Sequence, residues 1–346
     1  MDLFPTDRWY VAAWSHEVGR DLLARTVCGE PLVLYRTLGG EVVALADRCA
    51  HRRYPLSKGK LVGDAVQCGY HGFTYDCSGA CTFVPGQDRV PSRARVAAVP
   101  VLERSRWVWV FIGDPDRADP SDVPDTHWLD APGWAAIGDI AHIACRYSLL
   151  VDNLLDLSHE TYLHAGLIGT PEVAATPITT EVDEERGIVR VSRHMHGAEI
   201  PSFYAGATGM SSPIDRWQDI EYHPPCFYRL DSRIAPAGST PGADGADPDA
   251  AHMRILYAIT PETERTTHDF WAVARDFATD DAEVTAHLDK VQREIVQQDV
   301  DALDLLEPII ASEEARGGVV EISVGIDKGA LHARRVIARQ LSGPGG

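Results

Sequence analysis

Two short segments carry residue types that bind metal: Cys49-Ala50-His51 and Cys68-Gly69-Tyr70-His71, with sixteen residues between them. Each offers one thiolate and one imidazole. Structural zinc sites usually group their ligands by type, two cysteines in one knuckle and two histidines in another. The mixed C-x-H…C-x-x-H pattern suits instead a [2Fe–2S] cluster of the Rieske kind, in which two cysteines hold one iron and two histidines the other. Replacing two anionic thiolates by neutral imidazoles raises the reduction potential, so such a cluster takes up electrons readily and passes them on. A zinc site is the alternative reading of the same spacing. Downstream, Ser78-Gly79 reads as a hairpin tip, followed by Val84-Pro85-Gly86-Gln87.

A second set of metal-binding types lies at 151–164, where His159 and His164 follow Asp156. His159-Glu160 resembles the start of a zinc-protease motif, but that motif needs histidines four apart. These are five apart, roughly 140° around an ideal helix. They can meet on one ion only if the helix kinks or ends between them. A non-haem Fe(II) oxygenase site needs two histidines and one carboxylate on one face, with positions left open for O2 and substrate. Residues 282–307 have helical periodicity, with Val284, Leu288, Val291, Ile295, Leu303 and Leu306 as the apolar stripe. Asp299 falls about 40° from Ile295 on that face, while Asp301 and Asp304 fall on the far side. A carboxylate in a buried stripe is costly unless paired or metal-bound. Asp299 is therefore the expected third ligand.

These residues must be positioned by about two domains, given 346 residues. The first hundred read as β structure. Residues 31–36 and 41–45 flank the hairpin signal Gly39-Gly40, and 106–112 is an aromatic and β-branched strand. The turn-rich run at 113–120 marks a boundary, giving expected domains at 1–115 and 116–346. The second domain mixes helices and strands, an α+β chain overall. Its Gly/Pro/Asp-rich segment 238–250 is expected to be a mobile surface loop. The formal charge of −19, from 32 Lys+Arg against 51 Asp+Glu, opposes binding to nucleic acid or anionic membranes. No apolar run approaches a membrane span and no signal peptide is visible, so a cytoplasmic location is expected. Seven scattered cysteines do not read as a disulfide framework. Cys77 and Cys81 are not needed as ligands, and Cys28, Cys145 and Cys226 are expected as small buried hydrophobes.

The motifs together resemble those of the Rieske non-haem iron aromatic-ring oxygenases, and within them the vanillate O-demethylase oxygenase components. The likeness runs through Arg8-Trp9-Tyr10-Val11-Ala12, the two Cys/His arms, Pro85-Gly86-Gln87, residues 152–162, Asp215-Arg216-Trp217, Ile259-Thr260-Pro261-Glu262, residues 299–303 and Arg334-Arg335-Val336-Ile337. The resemblance implies an N-terminal all-β Rieske domain and a C-terminal helix-grip domain, an antiparallel sheet around a long helix. It implies a [2Fe–2S] cluster on Cys49, His51, Cys68 and His71, and mononuclear Fe(II) on His159, His164 and Asp299. It further implies a homotrimer in which electrons cross a subunit boundary, fed from NAD(P)H by a flavin/iron-sulfur reductase or a ferredoxin. Asp156 matches the position that bridges the neighbour's cluster histidine to the iron-ligand histidine, and Asn153 matches a residue beside the iron. The implied reaction is O2-dependent O-demethylation of a methoxylated aromatic acid such as vanillate, releasing formaldehyde.

Two departures stand out. Arg53-Tyr54 replaces a small residue pair after the first arm, and the helix after Asp299 meets Pro308, which is expected to end it early. In the related dicamba-type demethylases polar residues on two strands read the substrate; the matching positions here are Leu230 and Ala258. Strand alternation puts Tyr228 and Leu230 on one face and Arg229 and Arg233 on the other, so no carboxylate clamp is evident. His194 and His196 read as surface or core residues. Competing readings are a Rieske monooxygenase acting on another aromatic or natural-product substrate, a Rieske electron carrier without catalysis, and a zinc-stabilised binding protein. A pure electron carrier would leave His159, His164 and Asp299 unexplained.

Overall fold

β-Branched and aromatic runs punctuated by glycine turns build the first of two compact units, Asp2–Asp125 with Thr260–Glu264. The second comprises Thr126–Ile259 with Arg265–Gly346. The computed structural model describes residues 3–211, 213–239, 250–319 and 321–342. The expected loop at 238–250 lies, for residues 240–249, outside the described residues. No helix among the described residues is long and apolar enough to cross a membrane.

The first unit contains ten strands: β1 (Arg8–Trp14), β2 (Leu23–Val27), β3 (Glu30–Arg36), β4 (Val42–Ala46), β5 (Lys60–Val62), β6 (Ala65–Gln67), β7 (Thr74–Tyr75), β8 (Cys81–Phe83), β9 (Val101–Arg104) and β10 (Trp107–Ile112). They form three antiparallel sheets, ordered β1-β10-β9, β2-β3-β4 and β5-β6-β7-β8. Every residue of β10 is buried, as its composition requires. Gly40 takes a positive φ at the turn joining β3 to β4, the conformation glycine adopts without steric cost. The turn-rich segment after β10 is tied back to this unit, because Trp9 Nε1 donates to the Asp119 carbonyl at 2.8 Å. None of the seven cysteines forms a disulfide. Cys145 and Cys226 are buried, whereas Cys28 is only half-buried, at the turn between β2 and β3, a correction to its expected core position. Burial pushes the Cys145 thiol up to about 12, so it stays an inert apolar group.

The second unit is built on a seven-stranded sheet made of β11 (Ala135–Ile143), β12 (Thr179–Asp183), β13 (Ile188–Ala198), β14 (Ile214–His223), β15 (Phe227–Pro236), β16 (Ala251–Thr263) and β17 (Thr266–Arg275). Its order, β11-β17-β16-β15-β14-β13-β12, is a meander from β12 to β17 with β11 added beside β17. The helices are α1 (Tyr147–Leu155), α2 (Glu160–Leu163), α3 (Pro171–Ala175), α4 (Ser202–Thr208), α5 (Ala282–Glu314) and α6 (Lys328–Ser342). Helix α5 starts at Asp281, whose carboxylate accepts the N–H groups of Glu283 at 2.8 Å and Val284 at 3.1 Å, a cap worth about 1 kcal/mol. It buries Leu288, Val291, Gln292, Ile295, Val296, Asp299, Leu303 and Glu307; of the expected stripe, Val284 is only half-buried and Leu306 is exposed, because the helix's last turns leave the sheet side. Strand alternation separates two environments. The outer face carries cross-strand ion pairs such as Arg233 with Asp219 at 2.8 Å, and Arg229 stacks over Trp128. His194 belongs to this face, bonded to Asp219, and His196 is largely exposed.

Helix α5 does not end at Pro308; it continues to Glu314 with the proline inside. Proline removes one helical hydrogen bond and crowds the preceding turn. The helix survives because one guanidinium staples both sides of the proline: Arg146 bonds Glu307 at 2.8 Å and Glu314 at 2.6 Å. Burial raises the Glu307 carboxyl, but Arg146 overrides it and holds the group below its ordinary value of 4.5. The stabilisation from this pair is therefore full above that value and is lost as pH falls through the lower folded value. Arg146→Ala is expected to strand a buried carboxylate and cost roughly 2–4 kcal/mol in urea denaturation near neutral pH. The gap to the wild-type protein should close in strong acid.

Candidate active site

The two Cys/His arms fold as near-copies. In each, the cysteine N–H donates to the carbonyl five residues on, Tyr54 at 2.9 Å or Phe73 at 2.8 Å. In each, its carbonyl accepts the N–H four residues on, from Arg53 at 2.9 Å or Gly72 at 3.0 Å. Both of those residues have positive φ, so Arg53 takes a left-handed turn that the second arm assigns to glycine. The loops bring the His51 and His71 rings to 4.7 Å between centroids. Cys49 and Cys68 are buried at the base of the arms, whereas His51 and His71 are exposed at the tip. Desolvation, then the neighbouring His71, shifts the His51 pKa downward. Tyr75 Oη sits 3.1 Å from Cys49 Sγ. Cys77 and Cys81 instead direct their sulfurs at the Asp64 and Phe83 carbonyls. Tyr54 and Tyr70 stand exposed beside the histidines, their rings 5.5 Å apart, so Tyr54 forms part of the surface over the two arms.

In the second unit the helix is broken at Asp156, ahead of His159, and not between the two histidines, which α2 joins. Helix α1 stops at Leu155, a short 3₁₀ turn spans Leu157–His159, and α2 lasts only four residues before His164. Asp156 starts the turn by accepting the N–H and hydroxyl of Ser158 at 2.8 and 2.6 Å, both on Oδ1. Beyond α2 the chain folds back so tightly that a Cβ on Gly169 would lie 1.7 Å from the Glu160 carbonyl oxygen. The rings of His159 and His164 approach to 5.0 Å. Their Nε2 atoms lie 3.8 and 3.2 Å from one oxygen of Asp299, and the three donors fall within 4.8 Å of one another.

The other ring nitrogens are already engaged. His159 Nδ1 meets the Asp156 carbonyl, and His164 Nδ1 meets Gln298 Oε1 at 2.8 Å. Such contacts fix ring orientation and present Nε2 to an ion. Asn153 Nδ2 donates to the same Asp299 oxygen at 3.1 Å. Desolvation lowers the His164 pKa, but Asp299, together with Gln298 and Glu160, outweighs it and the net shift is upward. A buried imidazole nitrogen this close to a buried carboxylate needs a proton or a cation between them. The donor set, two imidazoles and one carboxylate on one face, fits ferrous iron. Asp301 and Asp304 are exposed.

His159, His164 and Asp299 border a cavity of about 40 Å³, whose wall includes Phe203, Tyr204, Tyr228, Leu230, Ile255 and Tyr257. Ala258, expected with Leu230, is not in the wall: alternation along β16 turns it to the opposite side, and Ile255 and Tyr257 occupy the inner face instead. Sequence reasoning also missed Gln298, Glu160, Arg216 and Gln218. Glu160 and Arg216 are buried and form an ion pair at 3.0 Å in the cavity wall. The available signal for Arg216 was its place at an inward, even-numbered position of β14. Asp156, Asn153 and His159 also border a separate open groove of about 480 Å³ among α1, α5 and α6.

Residues 8–94 match the family described as Rieske [2Fe-2S] domain, and residues 143–342 match the vanillate O-demethylase oxygenase C-terminal domain. The chain is 36% identical to a vanillate O-demethylase oxygenase subunit of Pseudomonas sp. (strain HR199 / DSM 7063), over 98% of this chain and 96% of that one. It is 35% identical to a toluene-4-sulfonate monooxygenase system iron-sulfur subunit of Comamonas testosteroni, over 99% of both. The crystal structure of dicamba monooxygenase bound to 3,6-dichlorosalicylic acid superposes with a TM-score of 0.90 at 32% identity, covering 97% of each chain. A Rieske cluster and a mononuclear iron are thus the cofactors of this fold.

Hydrogen bonds to cluster sulfur raise the reduction potential by favouring the more negative reduced state. Tyr75→Phe removes the Tyr75–Cys49 contact. The expected outcome is an unchanged yield of Rieske-type paramagnetic signal with a potential lower by roughly 40 mV, the one-electron equivalent of a ~1 kcal/mol hydrogen bond. Redox titration of the signal measures it.

Proposed function

The chain belongs to the Rieske non-haem iron oxygenases, in the family of the vanillate O-demethylase oxygenase subunits, and from that membership we propose that it demethylates a methoxylated aromatic acid such as vanillate. It is the oxygenase component of a multicomponent oxidoreductase that incorporates oxygen and draws electrons from a reductase. The convergence of His159, His164 and Asp299 on the wall of a largely apolar cavity carries the reading.

In this proposal Cys49, Cys68, His51 and His71 hold the cluster, and His159, His164 and Asp299 hold the iron. Bound there, ferrous iron supplies the activation of O2 that hydroxylates the methoxy carbon. The protein's own part is positional. Asn153 and Gln298 hold Asp299 and His164 in orientation, and apolar walls at Leu230 and Ile255 exclude water around the methyl group. The hydroxylated methyl ether is a hemiacetal, which collapses to formaldehyde and a phenol. With two electrons and two protons, the second oxygen atom leaves as water. The apolar character of Leu230 and Ile255 also favours the second reading, another aromatic or natural-product substrate handled by the same chemistry.

Electron delivery gives Asp156 its role. Its Oδ1 is occupied by Ser158, and among the described residues Oδ2 makes no hydrogen bond. It borders the groove that also contains His159, Leu306 and Ile322. We assign this groove to the cluster loop of a neighbouring subunit in a homotrimer, with Asp156 bridging the neighbour's histidine to His159.

A panel of methoxylated aromatic acids and neutral analogues, scored with O2, NAD(P)H and a reductase, tests the reaction. Formaldehyde should appear in proportion to substrate consumed; oxidised product without formaldehyde would favour hydroxylation. Asp156→Asn should keep both metal centres yet stall cluster oxidation in a single turnover with substrate and O2. Wild-type oxidation rates in that variant would return Asp156 to a capping role.

A further inference from the structure

Two histidines five residues apart need a backbone that an isolated segment would not keep, since a four-residue helix is far below the length at which helices hold themselves. The shape of residues 157–168 must be imposed from outside. Helix α4 holds its far end through Ser202 and Phe203, and four further hydrogen bonds come from inward-facing side chains of β13 and β14. Arg193 Nη1 donates to the Leu157 carbonyl at 3.2 Å, at the start of the segment. Gln218 Nε2 and Arg216 Nη2 donate to the two carboxylate oxygens of Glu160 at 2.7 and 3.0 Å, beside His159. Arg216 Nη1 donates to the Ile168 carbonyl at 2.8 Å, just past His164.

Arg193 and Gln218 are direct cross-strand partners, and Arg216 is two residues from Gln218 on the same face. Glu160, Arg193, Arg216 and Gln218 are each less than 5% exposed. The Tyr204 ring packs under the Arg216 guanidinium, 4.8 Å from its centre, and Tyr204 is itself bonded to Ser232 at 2.9 Å. The donors of the clamp are therefore held by the sheet and its covering helix.

Burying this much charge is a poor way to gain stability, because apolar residues of similar volume often do as well or better. What apolar packing cannot do is fix the positions of two carbonyls and one carboxylate along a chain. We propose that Glu160, Arg216, Gln218 and Arg193 are positioning residues that hold residues 157–168 in the broken-helix form needed to bind iron. The proposal rests on His159, His164 and Asp299 being the iron site.

The test measures release of ferrous iron to a chelator from the anaerobic, reduced holoprotein, with the Rieske signal as internal control. Glu160→Gln and Arg216→Gln should release iron about 10- to 100-fold faster, the usual range for losing a residue that orients a metal ligand, with the Rieske signal unchanged. The double variant should be less than additive, because both single changes break the Glu160–Arg216 bond they share. Arg216→Lys, which keeps the charge but loses the fork, should fall between. Gln218→Leu removes one donor and strands no charge, so it decides the matter if the Arg216 variants do not fold. Its release should be several-fold faster than wild type. Asp299→Ala is run alongside. Iron lost there but held at the wild-type rate in the clamp variants would overturn the clamp alone. Iron held in Asp299→Ala would overturn the iron-site reading beneath it.

Discussion

A carboxylate buried in an apolar helix stripe is the constraint around which the second unit is organised. Asp299 is 5% exposed and sits on α5 between Val296 and Leu303. Left alone, such a charge would cost several kcal/mol, and its surroundings are arranged to offset that cost. Asn153 reaches it from α1 and His164 from the end of α2. Burial, and secondarily Asp299 itself, pushes the carboxyl of Asp269 well above its ordinary range. That favours the neutral acid and avoids a second buried negative charge beside the first. A divalent cation completes the balance.

The same logic, with opposite exposure, governs the first unit. The two cysteine sulfurs are buried while the two imidazoles stand at the surface. Buried thiolates are anionic and would be unstable without metal. In the proposed cluster the two exposed imidazoles would form the end from which an electron leaves. The repeated loop pattern accounts for this geometry: each arm closes on its own cysteine by one N–H donated and one accepted, and each ends in a left-handed residue. At Arg53 that conformation is strained for an L side chain. It leads into Tyr54 beside Tyr70, giving this loop tip an aromatic surface.

Much of both centres was legible because metal sites depend on residue type and spacing. The Cys/His arms stand within single loops, so short-range spacing carries them. Asp299 was found by helical phase alone, since an apolar stripe reports which side of a helix is buried whatever packs against it. The hairpin at Gly39-Gly40 and the buried strand at 107–112 were visible for the same local reason. Pro308 misled because a local rule was overridden by a distant residue. Arg146, more than 150 positions away, spans the proline through Glu307 and Glu314. Ala258 misled because an assignment borrowed from relatives must still agree with strand parity, and the register places Tyr257 and Ile255 inward instead.

The sequence by itself determined which atoms could bind metal, that one long regular helix would not aim His159 and His164 at a single ion, and which aspartate of α5 faces inward. Each of these follows from the covalent spacing of side chains on a local periodic backbone. Only the tertiary structure decided how the break is held, which nitrogen of each histidine is free, and what encloses the substrate. Gln298, Glu160, Arg216 and Gln218 are ordinary polar residues at unremarkable spacing. They matter because sheet register and helix packing bring β13, β14 and α5 against residues 157–168, and a one-dimensional pattern holds no record of that meeting.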